Sequence, residues 1–548
     1  MGKDLLNPLA SAKRTGVIFK WKLVLPVLAL ILGLVLFVPR NAARTLAERT
    51  RRELKAQGFK VDLDEFHLET SNRNSAFDAL SRIGGGFRSI LPNNDFDLLR
   101  PLTPTSALVL WKQDPLWSEN STDNWARIRI ELERCGPDLD AARTEILSGP
   151  LRFGSTSSSG PGLSFPHLPG IRFAASALAA QTLLDLHDHR PGQSWTNLLA
   201  LTRLVSQWQP EPVATACLIR FRCVSVAQRT LWQALQSQEW TDVELRTLQS
   251  EWGAPRFFAA LPDAIAFARA DLIASCAAVR SAPPPPGPTF RQLTSDLLTS
   301  LDRAWDHYTA GMRHSRYRSE GSYQDEVAIM ICLRQREIDL RNAINSSSWL
   351  EMRAHPGITN PAKFVNDPQS ELFPTVETRM MTFPSLRASI VLINRAAEAE
   401  ARRRLALCAL ALKRYRLARG EYPPALDQLV PEFQEQSALD FMNGQPLHYQ
   451  RLENDTFVLY SVGLNCLDDH AQMLMDTSLR GPNAPEDPDL VWPAAATRQE
   501  VRAAFEAQQK RWEAVSAAGY PVLSAEGRAS IPATNRSYLL SPISRPTR

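Results

Sequence analysis

Cysteine is scarce in this chain of 548 residues: seven are present, Cys135, Cys217, Cys223, Cys276, Cys332, Cys408 and Cys466. Their number is odd, they are widely spread, and no Cys-x-x-Cys occurs, so neither a zinc site nor a disulfide framework is indicated. Most fall in apolar helical patterns and read as small core residues. Catalytic signatures are lacking as well. Gly84-Gly85-Gly86 is not followed by Gly-Lys-Ser/Thr and reads as a turn rather than a phosphate loop. The stretch "GSTSSSGPG" has no serine flanked by glycines two positions away on both sides, which excludes a nucleophile elbow. His187-Asp188-His189 places two histidines at i and i+2 of a helix end, on different faces, which is poor metal geometry. Asp62, Asp64, Glu65 and His67 have no partner cluster and read as solvated surface.

A basic excess is missing once position is considered. The formal charge is +4, but residues 1–60 hold twelve Lys or Arg against Asp4, Glu48 and Glu53, a balance of +9. The rest is therefore near −5, and nucleic acid is not the expected partner.

What is present begins at the N-terminus. Leu23 to Val38, "LVLPVLALILGLVLFV", carries no charge over sixteen residues and reaches about twenty-two with Val17 to Trp21, Lys20 and Lys22 snorkelling. Pro39-Arg40-Asn41-Ala42-Ala43 offers no small-x-small cleavage site, so an uncleaved signal anchor over 17–38 is expected. Basic residues on its two sides tie, and a short N-tail favours a cytoplasmic N-terminus. The expected location is a single-pass inner (cytoplasmic) membrane protein with its bulk extracytoplasmic, the membrane being one partner through residues 17–38.

Punctuation divides the remainder. A tail at 1–16 and the anchor are followed by a charged stalk helix within 39–65 and a loop-rich region at 66–168, broken by glycines, Pro101 and Pro104. Residues 169–392 read as a helical domain with a Pro-rich break, "SAPPPPGP", at 281–288. Its helices include "IRFAASALAAQTLLDLHDH", one opening near Ser194, "VATACLIRFRCVSVAQRTLWQAL", and "TDVELRTLQSEW" with Thr241 and Glu244 at capping-box spacing. Trp232, Trp240 and Trp252 lie in these patterns as core. Another helix is expected from Arg256 to Arg280, and two more follow the break, "FRQLTSDLLTSLDRAWDHY" and "YQDEVAIMICLRQREIDLRNAI". Short connections imply a helical hairpin array or irregular bundle. Residues 494–548 hold a helix at 498–518 and a Ser/Pro/Arg tail expected to be disordered.

The segment 393–493 forms a unit of its own. A long amphipathic helix from about Ser389 to Leu417 ends at Gly420, the left-handed C-cap, with Arg416 and Arg419 in its last turn. Tyr422-Pro423 turns the chain back, Leu426, Leu429 and Val430 form a short apolar helix, and "QPLHYQRL" and "TFVLYSV" read as a β-hairpin. This order resembles the globular domain of the type II secretion major pseudopilin. The matching residues are Gly420, Tyr422, Pro423, Asp440, Gly444, Pro446, Leu447, Tyr449, Tyr460, Ser461 and Gly463. In that family the loop after the last of these strands binds calcium, and the resemblance implies Asn465, Asp468, Asp469 and Asp489 as candidate Ca2+ ligands, oxygen donors suited to a hard cation. The chain departs from the family at Phe441, where proline is usual. Its apolar N-terminal run also lacks the glycine and glutamate of a prepilin, Gly16 being followed at the fifth place by Trp21.

The expected class is thus mainly α: a transmembrane helix, a helical array and a small α+β pseudopilin-like module. The whole resembles large bacterial membrane-anchored proteins carrying that module. No catalytic residue is singled out. A scaffold or interaction protein with protein partners is expected. The alternatives are a hydrolase-like enzyme with a dispersed site and an accessory component of a secretion or pilus-like system.

Overall fold

The computed structural model describes residues 42–68, 78–82, 98–113, 124–153, 165–282, 315–355, 358, 382–453, 455–471 and 488–517. Their helices are α1 (42–56), α2 (Asn124–Ser148), α3 (His167–His187), α4 (Pro191–Ser206), α5 (Ala214–Leu235) and α6 (Asp242–Gly253). They continue with α7 (Leu261–Ser281), α8 (Ser322–Ala343), α9 (Trp349–Ala354), α10 (Thr382–Arg419) and α11 (Arg498–Ala517). The strands are β1 (Arg100–Pro101), β2 (Ser106–Leu108), β3 (His448–Leu452), β4 (Thr456–Ser461), β5 (Leu490–Trp492) and β6 (Ala494–Ala495). The chain divides into two compact units, the first Met1–Asp62, Arg269–Arg334 and Asn366–Pro384, the second Leu63–Ala268, Gln335–Val365 and Ser385–Arg548.

The expected membrane architecture is corrected. Among the described residues no helix is long and apolar enough to cross a membrane. The run 17–38, on which the anchor, the inner-membrane location and the membrane partner rested, lies outside them. The helix most nearly apolar all round, α3, carries Arg172 and Asp185 and buries its faces against other helices. The mainly α expectation is kept without its membrane-spanning part.

In the first unit, α1 is amphipathic rather than a free stalk: Ala47, Thr50 and Leu54 are buried one turn apart. Its outer face carries the i,i+4 pairs Arg44–Glu48 and Arg49–Glu53. Arg51 reaches Glu326 at 2.7 Å, and Arg280 holds the other oxygen of that carboxylate at 2.6 Å.

In the second unit α3 is the central helix, packed by α2, α4 and α5, while α4 also meets α2, α5 and α6. Ile171, Leu178 and Leu183 of α3 are fully buried, each such side chain contributing about 1.5–3 kcal/mol. Between the helices polar side chains act as pins. Asp185 on α3 receives Asn197 Nδ2 of α4 at 2.9 Å, and Arg143 of α2 donates to Asn197 Oδ1 at 3.0 Å. Glu251 on α6 accepts from Arg203, Ser206 and Gln207 of the α4 end at 2.7–3.1 Å. The capping box of Thr241 and Glu244 opens α6.

Two sequence expectations shift here. Ser194 does not cap α4; Pro191 at the first turn sets the start, and the buried Ser194 Oγ donates to Thr182 O at 3.2 Å. The region expected to be irregular contains α2, which runs through Gly136-Pro137. A helix-interior proline costs about 3 kcal/mol, and burial of Leu132, Leu139, Ala142 and Ile146 against α3 and α4 opposes that cost. The helix expected at 290–308 and the tail after 518 lie outside the described residues.

Two small sheets complete the second unit. In one, β1 pairs antiparallel with β2, and β2 pairs parallel with β6 in the register Ser106↔Ala494. In the other, β3 and β4 form the hairpin expected from the alternation, and β5 pairs antiparallel with β4. Pro493 joins β5 to β6, and its carbonyl accepts from Trp232 Nε1 at 2.8 Å.

Candidate functional site

The region that the sequence marks as a candidate site follows β4. Asp440, fully buried, organises it: its carboxylate accepts from Met442 N at 2.8 Å, Ser461 Oγ at 2.6 Å and Val462 N at 2.8 Å. Burial pushes this carboxyl above its ordinary range, and those three donors pull against burial. Gly444 takes φ of +76°, which closes the turn below Asp440. From outside the 393–493 segment, α9 grips the same loops. Trp349 N donates to Phe441 O at 2.7 Å, Leu350 N to Met442 O at 2.9 Å, and Trp349 Nε1 to Leu464 O at 3.1 Å. Arg353 Nη1 donates to Leu464 O at 3.1 Å and Asn465 O at 3.2 Å. No sequence pattern announced this clamp, because its residues stand about a hundred positions earlier in an ordinary short helix.

Of the four residues put forward for calcium, the structure brings three together. Asn465 Nδ2 donates to Asp469 Oδ2 at 3.2 Å, and Asp469 N lies 3.2 Å from Asp489 Oδ2. Asp489 also accepts from Ala471 N at 2.9 Å, and burial raises its carboxyl against these amides. Asp468 faces elsewhere. Its Oδ1 accepts from His470 N at 2.8 Å and Tyr460 OH at 3.1 Å, while His448, stacked on Tyr460 at 4.5 Å, places Nδ1 3.7 Å from Oδ2. Burial would raise Asp468, but the His470 amide, the Tyr460 hydroxyl and the nearby histidines together hold it below the usual carboxylate range.

Asn465 Oδ1 accepts from Leu467 N at 2.9 Å and Asp489 is turned to two backbone amides. Among the described residues no group of three or more His, Cys, Asp or Glu is placed to hold a metal ion. The stretch 472–487, between Ala471 and Asp489, lies outside them.

Two further polar clusters lie among the described residues. His187 Nδ1 lies 2.9 Å from Asp188 Oδ1, its ring stacks on Trp125 at 4.6 Å, and Arg129 and Arg190 reach the same carboxylate at 2.9 Å. His189 has a left-handed φ of +57° beyond the helix. In the first unit Tyr317 OH donates to Asp325 Oδ2 at 2.8 Å, next to Glu326 and its two arginines. Burial raises Tyr317 and pushes Cys276 up to about 12. Asp62, from the acidic cluster of the sequence, is paired with Lys55 and lies 3.7 Å from Arg51.

Comparison with protein-family models, with curated proteins and with solved structures finds no match to this chain.

Proposed function

We propose that this chain is a scaffold or interaction protein, its helical array presenting surface to protein partners and its segment 393–493 serving as a second docking unit. The resemblance of that segment to the pseudopilin globular domain belongs to the same reading. It is supported by the left-handed Gly420 at φ +86° closing α10, the three-stranded β3-β4-β5 sheet and the buried Asp440.

The observation that carries the reading is how the array uses its buried polar groups. Asp185, Asn197, Glu251, Gln233 and Lys413 each bridge one element to another or to backbone at 2.7–3.1 Å. Such pins hold a rigid surface, which lowers the ordering cost of binding a partner. A catalytic carboxylate or lysine needs a free face toward substrate instead.

Reciprocal capture of the full tagged chain and its partner tests the proposal. A complex of fixed stoichiometry that survives size-exclusion chromatography is expected, and pilin-like or secretion-ATPase partners would assign it to a secretion system. Monodisperse chain without partner, together with turnover of ester, phosphate or peptide substrates, would overturn it in favour of a hydrolase.

A further inference from the structure

Arg336 on α8 is a buried cation with most of its donors unused. Its side chain is 0% exposed, and Nε donates to Ser389 Oγ of α10 at 3.1 Å. Nη1 and Nη2 are buried with no hydrogen-bond partner among the described residues. Those two nitrogens carry four N–H groups, and a buried donor left unsatisfied costs about 1–3 kcal/mol. Burial lowers Arg336 to about 10, against the pull of Asp339.

Asp339 stands one turn further along the same helix and is 8% exposed. Its Oδ1 accepts from Gln335 Nε2 at 3.0 Å, while Oδ2 is buried with no partner among the described residues. Burial raises its carboxyl, and Gln335, Arg336 and His355 pull the other way. Side chains at i and i+3 are neighbours on a helix, so a direct bond between the guanidinium and Oδ2 would satisfy both. That bond is not made: the two groups act on each other electrostatically, yet Nη1, Nη2 and Oδ2 all stay open.

A group that bridges them has to accept from both Nη atoms of Arg336 and donate to Oδ2 of Asp339. One water oxygen offers two acceptor sites against four N–H groups. An oxyanion offers several oxygens, and the fork of a guanidinium takes two of them at once. The need for a donor then selects among oxyanions. Hydrogen phosphate keeps a P–O–H that donates to the Asp339 carboxylate, whereas sulfate, of the same shape, carries no proton near neutral pH and meets that carboxylate as an unbridged like charge. With Arg336 fully covered and Asp339 nearly so, the site suits a free ion rather than a phosphoryl group carried on a large molecule.

We propose that Arg336 and Asp339 form a buried binding site for inorganic hydrogen phosphate between α8 and α10. Arg336, set by its bond to Ser389, grips two oxygens end-on, and Asp339 Oδ2 accepts the remaining proton. The site goes beyond the interaction reading above and does not depend on it.

The test is isothermal titration calorimetry of the full chain, freed of phosphate by exhaustive dialysis, with inorganic phosphate at constant ionic strength. Saturable binding is expected, about tenfold or more tighter than that of sulfate, with no competition from phosphoserine. Arg336→Lys keeps the charge without the fork and is expected to lose about tenfold or more of that affinity. Asp339→Asn replaces the acceptor by an amide that also donates, so phosphate is expected to weaken and sulfate to strengthen until the two differ by less than about threefold. A merely structural role for Asp339 would leave the preference unchanged. Should Arg336→Lys lose its folded circular dichroism signal, the isosteric Asp339→Asn carries the test. Absence of phosphate binding by the folded chain would overturn the proposal and leave both groups to ordered water. Equal binding of phosphate and sulfate by the unaltered chain, or an unchanged preference in Asp339→Asn, would overturn it too. Displacement of phosphate by phosphoserine would overturn the assignment to a free ion.

Discussion

Gln233 shows how much one residue holds. Fully buried on α5, it accepts from Leu110 N at 3.0 Å and donates to Leu98 O at 2.8 Å and Leu108 O at 3.0 Å, while its own carbonyl takes Trp111 Nε1 at 3.0 Å. One amide thus satisfies three backbone groups around the short β1-β2 ribbon. Gln233→Leu keeps the volume and orphans all three, so a loss of about 3 kcal/mol in unfolding free energy is expected, read from the urea midpoint of the full chain. An unchanged midpoint would mean that water replaces the amide. The sequence marked Trp232 as core correctly but gave no hint of its neighbour. A glutamine on an amphipathic helix reads as polar face, because its partners lie more than a hundred positions away.

At the scale of elements, local chemistry was legible where it is self-contained. Gly420, the Thr241–Glu244 capping box and the β3-β4 hairpin are set by residues within a few positions of each other, and each is found as the pattern implies. Helix α2 was missed because Gly136-Pro137 is a local stop that packing against α3 and α4 overrides. The loop after β4 was legible as to its residues and not as to their roles. Asp489 accepts from the amides of Asp469 and Ala471, so its carboxylate is already engaged. The expected outcome is therefore an equal melting temperature for the full chain in excess calcium and in chelator. A higher temperature in calcium would reinstate Asn465, Asp468, Asp469 and Asp489 as ligands.

At the scale of the whole molecule, buried thiols make stability depend on pH. Burial pushes Cys135 up to about 11 and Cys217, Cys223 and Cys276 up to about 12, from an ordinary value of 9.0. The unfolded chain loses these protons first, so each thiol's contribution is complete below pH 9 and declines above it. Lys413 works the other way, because burial lowers it to about 8 from 10.5, and stability rises with pH between those values on its account. Between pH 9 and 10 each thiol removes about 1 kcal/mol and the lysine restores about 1 kcal/mol. Four thiols outweigh one lysine. The urea midpoint under reducing conditions is expected to fall over that interval, and to fall less in Cys217→Ala with Cys223→Ala. A midpoint that rises would show these thiols to be solvated.

The sequence alone determined the helical class, the principal helices of the array and the module's corner at Gly420, because hydrophobic period and capping act over one or two turns. It also suggested a membrane span from composition at 17–38, an architecture that the described helices do not supply. Only the tertiary structure decided that residues 106–108 share a sheet with 494–495, that α9 clamps the loops on either side of the β3-β4 hairpin, and that Arg402 of α10 reaches Gln228 of α5. Those pairings join positions from about a hundred to nearly four hundred residues apart. No local periodicity encodes them; they follow from which buried faces and hydrogen-bonding groups fit once the helices have packed.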